Sequence, residues 1–237
     1  MDPLLETIGF HPDGDIDGLR AALRRPGGEV FGGDRGRCAK RVALTQGVEI
    51  VSTFDGGGLW PVYRRGTRVR GRVASIEQRS FGPFPLRVDV DVRDATGPRR
   101  ASALCWSARR EDWRSGESLV LAPAAFALDL VHCGPLGTGS PDGVPSGPRW
   151  LEPCPDAEIP GTSFLAAPVR SVRSATNPLS QRRFELVELD LLDAGLTVFV
   201  SRFQLDEAGL GIPRPGDWVS GTFVLVAERL RTACLGA

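Results

Sequence analysis

The chain matches itself when it is shifted by about 95 to 100 residues, and this internal repeat constrains the fold more than any other feature of the sequence. Four short matches occur in the same order along both halves. They are GT (66–67 with 161–162), VASI with VRSV (73–76 with 169–172), VDVDVRDA with VELDLLDA (88–95 with 187–194), and RSGE with RPGD (114–117 with 214–217). Four ordered matches predict a tandem duplication of a unit of about 70 residues.

Each copy has the sequence pattern of β structure. Over residues 86–93, apolar residues alternate with charged ones, which is the pattern of a strand with one buried and one exposed face. Turn residues follow in both copies, DATG from Asp94 and DAG from Asp193, and they predict a hairpin. The positions expected to be buried are Val88, Val90 and Val92 in the first copy and Val187, Leu189 and Leu191 in the second.

The predicted element order in each copy is three strands, a short helix, and one or two further strands. This order resembles the architecture of the oligonucleotide/oligosaccharide-binding (OB) barrel, which has five strands and a helix after the third; an SH3-like barrel or a small β-sandwich are the alternatives. We therefore expect a mainly β protein, α+β overall, with two duplicated small β-barrels at residues 65–132 and 161–237.

Two further segments complete the predicted organisation. Residues 133–160 hold twelve Gly or Pro among twenty-eight residues and no periodicity, which predicts a linker; Trp150 and Leu151 are candidates to pin it to one barrel. Residues 1–64 predict a small α+β cap that either packs on the barrels or recruits another chain. Its expected elements are helices over 3–8 and 16–25, a hairpin of strands over 38–45 and 48–54, and a strand over 59–63.

The charge balance excludes bulk adhesion to nucleic acid or anionic membrane, because 29 basic and 29 acidic residues give zero formal net charge. Lys40 is the only lysine, which indicates the codon bias of a GC-rich bacterial genome. There is no secretory signal pattern, and the longest apolar run (119–128) is about half the ~20 residues of a membrane span. We expect a cytoplasmic protein whose five unpaired-looking cysteines are free thiols.

No catalytic or metal-binding set stands out. His11 and His132 are the only histidines, and neither lies in a sequence context typical of a Ser-His-Asp or Cys-His mechanism. No close pair of cysteines or histidines has zinc-ligand spacing, so we expect no metal and no cofactor. The paired acids, Asp89 with Asp91 and Glu188 with Asp190, fit a solvated strand face better than a glycosidase pair.

The candidate contact residues are arginines and aromatics of the first copy. They are Arg79, Phe81 and Phe84 in the loop after its first strand, and Trp106, Arg109, Arg110 and Trp113 after its third. In an OB barrel such residues can stack bases and bind phosphates. Core or capping packing is the competing interpretation, because Trp106 and Trp113 are seven residues apart and the second copy lacks the pattern.

The leading hypothesis is a non-catalytic adaptor or structural subunit, with another protein chain as partner. One alternative is an enzyme or carrier that holds a small molecule in a barrel cavity without a recognisable motif. Another, less favoured, is the binding of single-stranded nucleic acid through an OB-like groove. No membrane partner is expected.

Overall fold

The computed structural model describes residues 3–11, 16–24, 29–32, 38–53, 58–81, 84–94, 97–105, 113–135 and 149–230. Over these ranges the protein is mainly β, as the alternation predicts, with three short helices. In chain order the elements are α1 (Pro3–Glu6), α2 (Ile16–Arg24), β1 (Glu29–Gly32), β2 (Cys38–Thr45), β3 (Val48–Thr53), β4 (Leu59–Tyr63), β5 (Val69–Phe81), β6 (Phe84–Asp94), β7 (Gly97–Cys105), β8 (Ser118–Gly134), β9 (Trp150–Pro153), β10 (Thr162–Thr176), β11 (Arg183–Leu189), β12 (Leu196–Ser201), α3 (Arg202–Glu207) and β13 (Trp218–Leu230). Of the helices described, none has the length and apolar character needed to cross a membrane.

The strands form two sheets. The N-terminal sheet has the order β1-β2-β3-β4, and a nine-stranded sheet contains β5 to β13. In the nine-stranded sheet β5, β6 and β7 pair as an antiparallel meander, and β8 returns to pair with β5. Likewise β10, β11 and β12 form a meander, and β13 returns to pair with β10. The two segments therefore share one order of strands and pairings.

The agreement between the two segments extends to individual residues. Val69 pairs with Leu121, and Leu165, its counterpart in the repeat alignment, pairs with Gly221. The register shifts after Val73 in β5 and again after its counterpart Val169 in β10. In this article, residues that occupy matching places in these two pairing patterns are called counterparts.

The same backbone hydrogen bonds close both segments. The Val73 N–H donates to the Glu117 carbonyl (2.9 Å), and the Gly116 N–H donates to the Val73 carbonyl (2.8 Å). The Val169 N–H donates to the Asp217 carbonyl (2.7 Å), and the Gly216 N–H donates to the Val169 carbonyl (2.9 Å). Gly116 and Gly216 have φ angles of 81° and 92°, which favour glycine, so the repeated Arg-x-Gly-acid motif is a turn.

The two long strands β8 and β13 join the segments. They pair antiparallel from Val120 with Leu230 to Gly134 with Trp218, and near the middle Ala125 faces its own counterpart, Leu225. Each also pairs in parallel with a strand of the other segment, β8 with β12 and β13 with β7. The sequence predicts two β units separated by a linker, whereas these pairings place both units in one hydrogen-bonded sheet.

One apolar cluster runs through both segments. The six positions predicted to be buried all belong to it, at 0 to 4% exposure, which confirms that part of the sequence interpretation. A second cluster lies on the other side of the central strands, where Phe126 and Phe199 stack 4.9 Å apart and the Tyr63 ring meets Phe199 edge-on. Because this cluster also contains residues of α1, α2, β3 and β4, the N-terminal segment packs on the nine-stranded sheet.

Asn177 also attaches the N-terminal segment. This residue is fully buried in the turn between β10 and β11, and its Nδ2 donates to the Ile8 carbonyl at 2.9 Å. Its side-chain oxygen accepts from the Leu179 N–H, and the Ser180 hydroxyl donates to the Gly9 carbonyl at 2.6 Å. The segment after α1 is therefore tied by hydrogen bonds to the second half.

Strand β9 is the main local departure from the sequence prediction, because it lies within the predicted linker. Its four residues pair with β10, Leu151 opposite Leu165 and Trp150 opposite Ala166. Leu151 is 4% exposed and belongs to the main apolar cluster, so burial of its side chain outweighs the low strand propensity of its neighbours. The short helix predicted over 204–210 in the second segment corresponds to α3 (Arg202–Glu207). Of the helix predicted over 108–114 in the first, residues 108–112 lie outside the described residues, and 113 and 114 are not helical.

Candidate binding cleft

The structure does not bring the seven predicted contact residues together as one exposed patch. Arg79 and Phe81 lie at the end of β5, and their side chains fall outside what the structure describes. Trp106, Arg109 and Arg110 also lie outside the described residues. The role predicted for these five residues stays a prediction.

Phe84 and Trp113 are packed in the interior. The Phe84 side chain is fully buried and meets the Trp60 ring edge-on, with ring centroids 5.3 Å apart. Trp113 is 1% exposed, and the Arg229 guanidinium carbon lies 5.3 Å from its ring centroid. Both rings occupy the positions that the competing core-packing interpretation gives them, and neither presents a free face for stacking on a ligand.

A different part of the first segment forms an open cleft of about 710 Å³. It lies at the start of β5, beside the end of β6 and the start of β8, and the turn between β11 and β12 borders it. Four arginines, Arg68, Arg70, Arg72 and Arg93, line this arginine cleft, together with two acids, Asp91 and Asp193. The apolar part of its wall comes from Val69, Leu119, Val120 and Ala194.

Strand geometry explains why the arginines gather here. Side chains at alternate positions of an extended chain point to one face. Arg68, Arg70 and Arg72 therefore lie on the same side, with about 7 Å between one arginine and the next. Val69, which lies between Arg68 and Arg70, and Val73, which follows Arg72, point into the apolar cluster. The RVRGRV pattern of 68–73 is visible in the sequence, but only the return of β6 and β8 places other groups beside it.

Within the described residues, the positive charge of the cleft is only partly neutralised. Arg72 donates from Nε to the Gly116 carbonyl at 3.0 Å. Asp91 accepts from Arg100 at 2.9 Å, a hydrogen bond that raises the pKa of Arg100. Arg68, Arg70 and Arg93 are exposed and make no ion pair with a described residue. An anionic group entering the cleft therefore meets charged donors that form no ion pair with any described residue.

The acidic strand faces behave differently, because their carboxylates are already bound. Asp89 accepts from the Ser75 hydroxyl at 2.6 Å, and Glu188, its counterpart, accepts from the Ser171 hydroxyl at 3.1 Å. Asp190 is held between Arg170, whose Nε donates at 2.7 Å, and Arg149. These ion-paired positions match the solvated strand face that the alternation predicts.

Both histidines contact neighbouring groups, and the described cysteines are not in disulfides. The His11 ring packs edge-on against Phe203, and His132 Nε2 lies 3.1 Å from the Gly134 carbonyl, a bond that requires a proton on that nitrogen. Cys105, Cys133 and Cys154 are free thiols, as expected. Burial raises the pKa of Cys105, and burial followed by Asp217 raises that of Cys133 to about 12, so both are protonated at neutral pH.

The polar lining of the arginine cleft consists of its four arginines with Asp91, Asp193 and Ser118. Its described wall holds no histidine, cysteine or lysine, and its acids lie beside arginines. In the described ranges, no group of three or more His, Cys, Asp or Glu could hold a metal ion. Comparison of the chain with protein-family models, with curated proteins and with solved structures gave no match.

Proposed function

We propose that this protein is a non-catalytic adaptor, built from two duplicated β-barrel units, that binds an acidic segment of another protein chain in the arginine cleft. The observation that carries the proposal is the set of exposed arginines Arg68, Arg70 and Arg93, which make no ion pair with a described residue. The shared pairing order, the matching register shifts and the matching turn hydrogen bonds support the duplication.

The lining of the cleft favours a protein partner over single-stranded nucleic acid. Base binding of the sequence-tolerant kind uses aromatic side chains on which successive bases stack. The described residues that line the cleft include no aromatic side chain, and the half-buried aliphatic side chain of Val120, which pairs with Arg70, suits an apolar side chain of a peptide. The neutral net charge also removes the long-range attraction that nucleic-acid binders use.

The openness of the site favours a chain segment over a small molecule. Small-molecule pockets bury most of the surface of their ligand. All four arginines of the cleft are instead exposed in the structure. Arg68, Arg70 and Arg72 follow one another along the chain at the start of β5, and Arg93 lies beside them at the end of β6. Such a row of charges fits a ligand whose own charges repeat along a chain.

Native mass spectrometry of the protein isolated from its own host tests the proposal. We expect a stoichiometric second polypeptide on the wild type, lost in the double variant Arg68→Glu/Arg70→Glu. The matched control is Arg182→Glu/Arg183→Glu, which reverses two exposed charges in the second half and should keep the partner. A bare chain, a small-molecule mass, or a partner retained by both double variants would overturn the proposal.

A nucleic-acid arm completes this experiment. A labelled twenty-nucleotide oligo-dT is titrated against the wild type and both double variants at low and high salt. We expect no binding beyond the weak level that local arginines give. Salt-sensitive binding that Arg68→Glu/Arg70→Glu abolishes would assign the cleft to nucleic acid and contradict a protein partner.

A further inference from the structure

The arginine cleft is the place in the first half where the second half holds β9. In the second half, β9 pairs with β10 along residues 163–166, on the edge opposite β13. The counterparts of these residues are 67–70, which are the two residues before β5 and its first two residues. Val69 and Arg70 pair with β8 on the edge that corresponds to the β13 edge of β10. Among the described strands, none pairs with 67–70 on the other edge.

The walls of the two places correspond at three of the four paired positions. Ser163, Phe164, Leu165 and Ala166 face β9 across the pairing; the counterparts of the last three, Arg68, Val69 and Arg70, line the cleft. Two further contacts are made by Arg149, the residue before β9. It pairs with Asp190 and accepts, at its carbonyl, a hydrogen bond of 2.9 Å from Arg99. The counterpart of Asp190, Asp91, also lines the cleft.

The chain explains why this place differs between the halves. In the second half the strand that precedes β10 is β9, which stays in the nine-stranded sheet. In the first half the strand that precedes β5 is β4, which pairs with β3 in the N-terminal sheet. The first half thus has the walls of a strand-binding slot, and the strand that would fill it by analogy belongs to another sheet.

We infer that the partner binds by strand addition, with an extended segment pairing along residues 67–70, which include the first two residues of β5, as β9 pairs along β10. This inference rests on the proposed function and specifies how the same cleft is used. Main-chain hydrogen bonds to the free strand edge give such complexes their affinity, and alternate side chains give them specificity. The bound segment is therefore expected to add a strand to the nine-stranded sheet.

The wall residues specify the pattern of the segment. Residues directly opposite each other in a strand pair have neighbouring side chains on one face. In the filled slot the apolar Leu151 faces Leu165, so an apolar residue of the partner should face Val69. Arg68 and Arg70 replace Phe164 and Ala166, so the residues on both sides of that apolar residue should be acidic. The segment has the pattern acidic, apolar, acidic.

The test uses three synthetic peptides with fluorescent labels. The first carries Glu-Leu-Glu between Gly-Ser flanks, the second has the same sequence with its three central amides methylated, and the third has the order Leu-Glu-Glu. We expect the first to bind and each of the others to bind at least about tenfold more weakly, because methylation removes main-chain donors and the altered order misplaces the apolar residue. Amide hydrogen exchange should slow at residues 67–70 when the first peptide is bound.

The charge variants provide the matched controls. Arg68→Glu/Arg70→Glu should weaken the first peptide by at least about tenfold, and Arg182→Glu/Arg183→Glu should leave it unchanged. Circular dichroism melting verifies that both variants fold. If the methylated peptide binds as well as the first and residues 67–70 gain no protection, strand addition is wrong, while a loss limited to the cleft variant still supports an acidic partner.

A conversion experiment separates the binding mode from charge alone. Arg68→Phe/Arg70→Ala gives the cleft the wall residues of the filled slot. This variant should lose the Glu-Leu-Glu peptide and gain binding of a peptide with the β9 sequence, Arg-Trp-Leu-Glu-Pro. Failure of the Glu-Leu-Glu peptide to bind the wild type, or equal binding of the β9 peptide to wild type and converted variant, would overturn the proposed slot. The native mass spectrometry result decides the adaptor function independently.

Discussion

The two halves of the nine-stranded sheet share their strand order but differ at one edge. In the second half β9 covers the start of β10 and buries Leu151, whereas the start of β5 in the first half borders a cleft of about 710 Å³ lined by four arginines. The difference teaches that two segments with the same order of strand pairings can present different side chains at one edge. The apolar Phe164 and Ala166 face β9 in the second half, whereas their counterparts Arg68 and Arg70 are exposed at the cleft.

The largest effect on the free energy of unfolding is expected from removing the leucine side chain of β9 that is buried in the main cluster. Leu151→Ala should lower the free energy of unfolding by about 2–5 kcal/mol, because it removes a leucine side chain that is 4% exposed from the main cluster. Urea unfolding followed by tryptophan fluorescence measures the change. Glu152→Ala, on the same strand but exposed, is the control and should stay within about 0.5 kcal/mol of the wild type. A small effect of both variants would show that β9 adds little to the second half.

A smaller effect is expected from making the first half resemble the second at Gly71. Its counterpart is Ala167, yet a Cβ atom at Gly71 would lie 2.3 Å from Val90 Cγ1. Gly71→Ala should therefore cost about 1–3 kcal/mol in unfolding free energy through overpacking. The matched background is Val90→Ala, which removes the nearest clash and leaves Val92 Cγ1 and the Asp91 carbonyl oxygen at 3.1 and 3.2 Å, so the same change should cost less. Equal costs in both backgrounds would contradict the steric explanation.

The smallest effect concerns the end of β8 that serves the second half. Cys133 donates to the Gly211 carbonyl at 3.3 Å, and its pKa of about 12 lies above the ordinary value of 9.0 for a thiol. A raised folded-state pKa gives stability that is complete below pH 9 and declines as the pH rises from 9 toward 12. The unfolding free energy of the wild type should fall relative to that of Cys133→Ala between pH 8 and 10.5. A constant difference across this range would rule out a titration of Cys133 linked to folding.

Local patterns made much of the fold predictable. The alternation over 86–93 and its match over 187–191 gave the buried faces, and the Arg-x-Gly-acid motif gave the turns that receive bonds from Val73 and Val169. In the N-terminal segment, strands β2, β3 and β4 begin where their patterns begin. These features depend on residues close in sequence, and short-range rules describe them well.

The candidate site was not predictable in the same way. The aromatic residues Phe84 and Trp113 draw attention in the sequence, but both are buried, because large apolar rings are worth more in a core than at a surface. Arg68, Arg70 and Arg72 form a plain alternating pattern that any exposed strand face could show. What makes them notable is the strand that fills the equivalent place next to β10, and that is a long-range relation.

The sequence by itself determined the β class, the buried faces of the strands at 86–93 and 187–191 and the Arg-x-Gly-acid turns, because period-two alternation and turn residues act over a few positions. Only the tertiary structure decided which strands pair. In it β8 pairs with β13, β4 pairs with β3 in the N-terminal sheet, and β9 pairs with β10 in the nine-stranded sheet. Strand partners are selected by side-chain packing between residues far apart in the chain. A linear pattern specifies which residues are buried, but it does not specify the residues against which they pack.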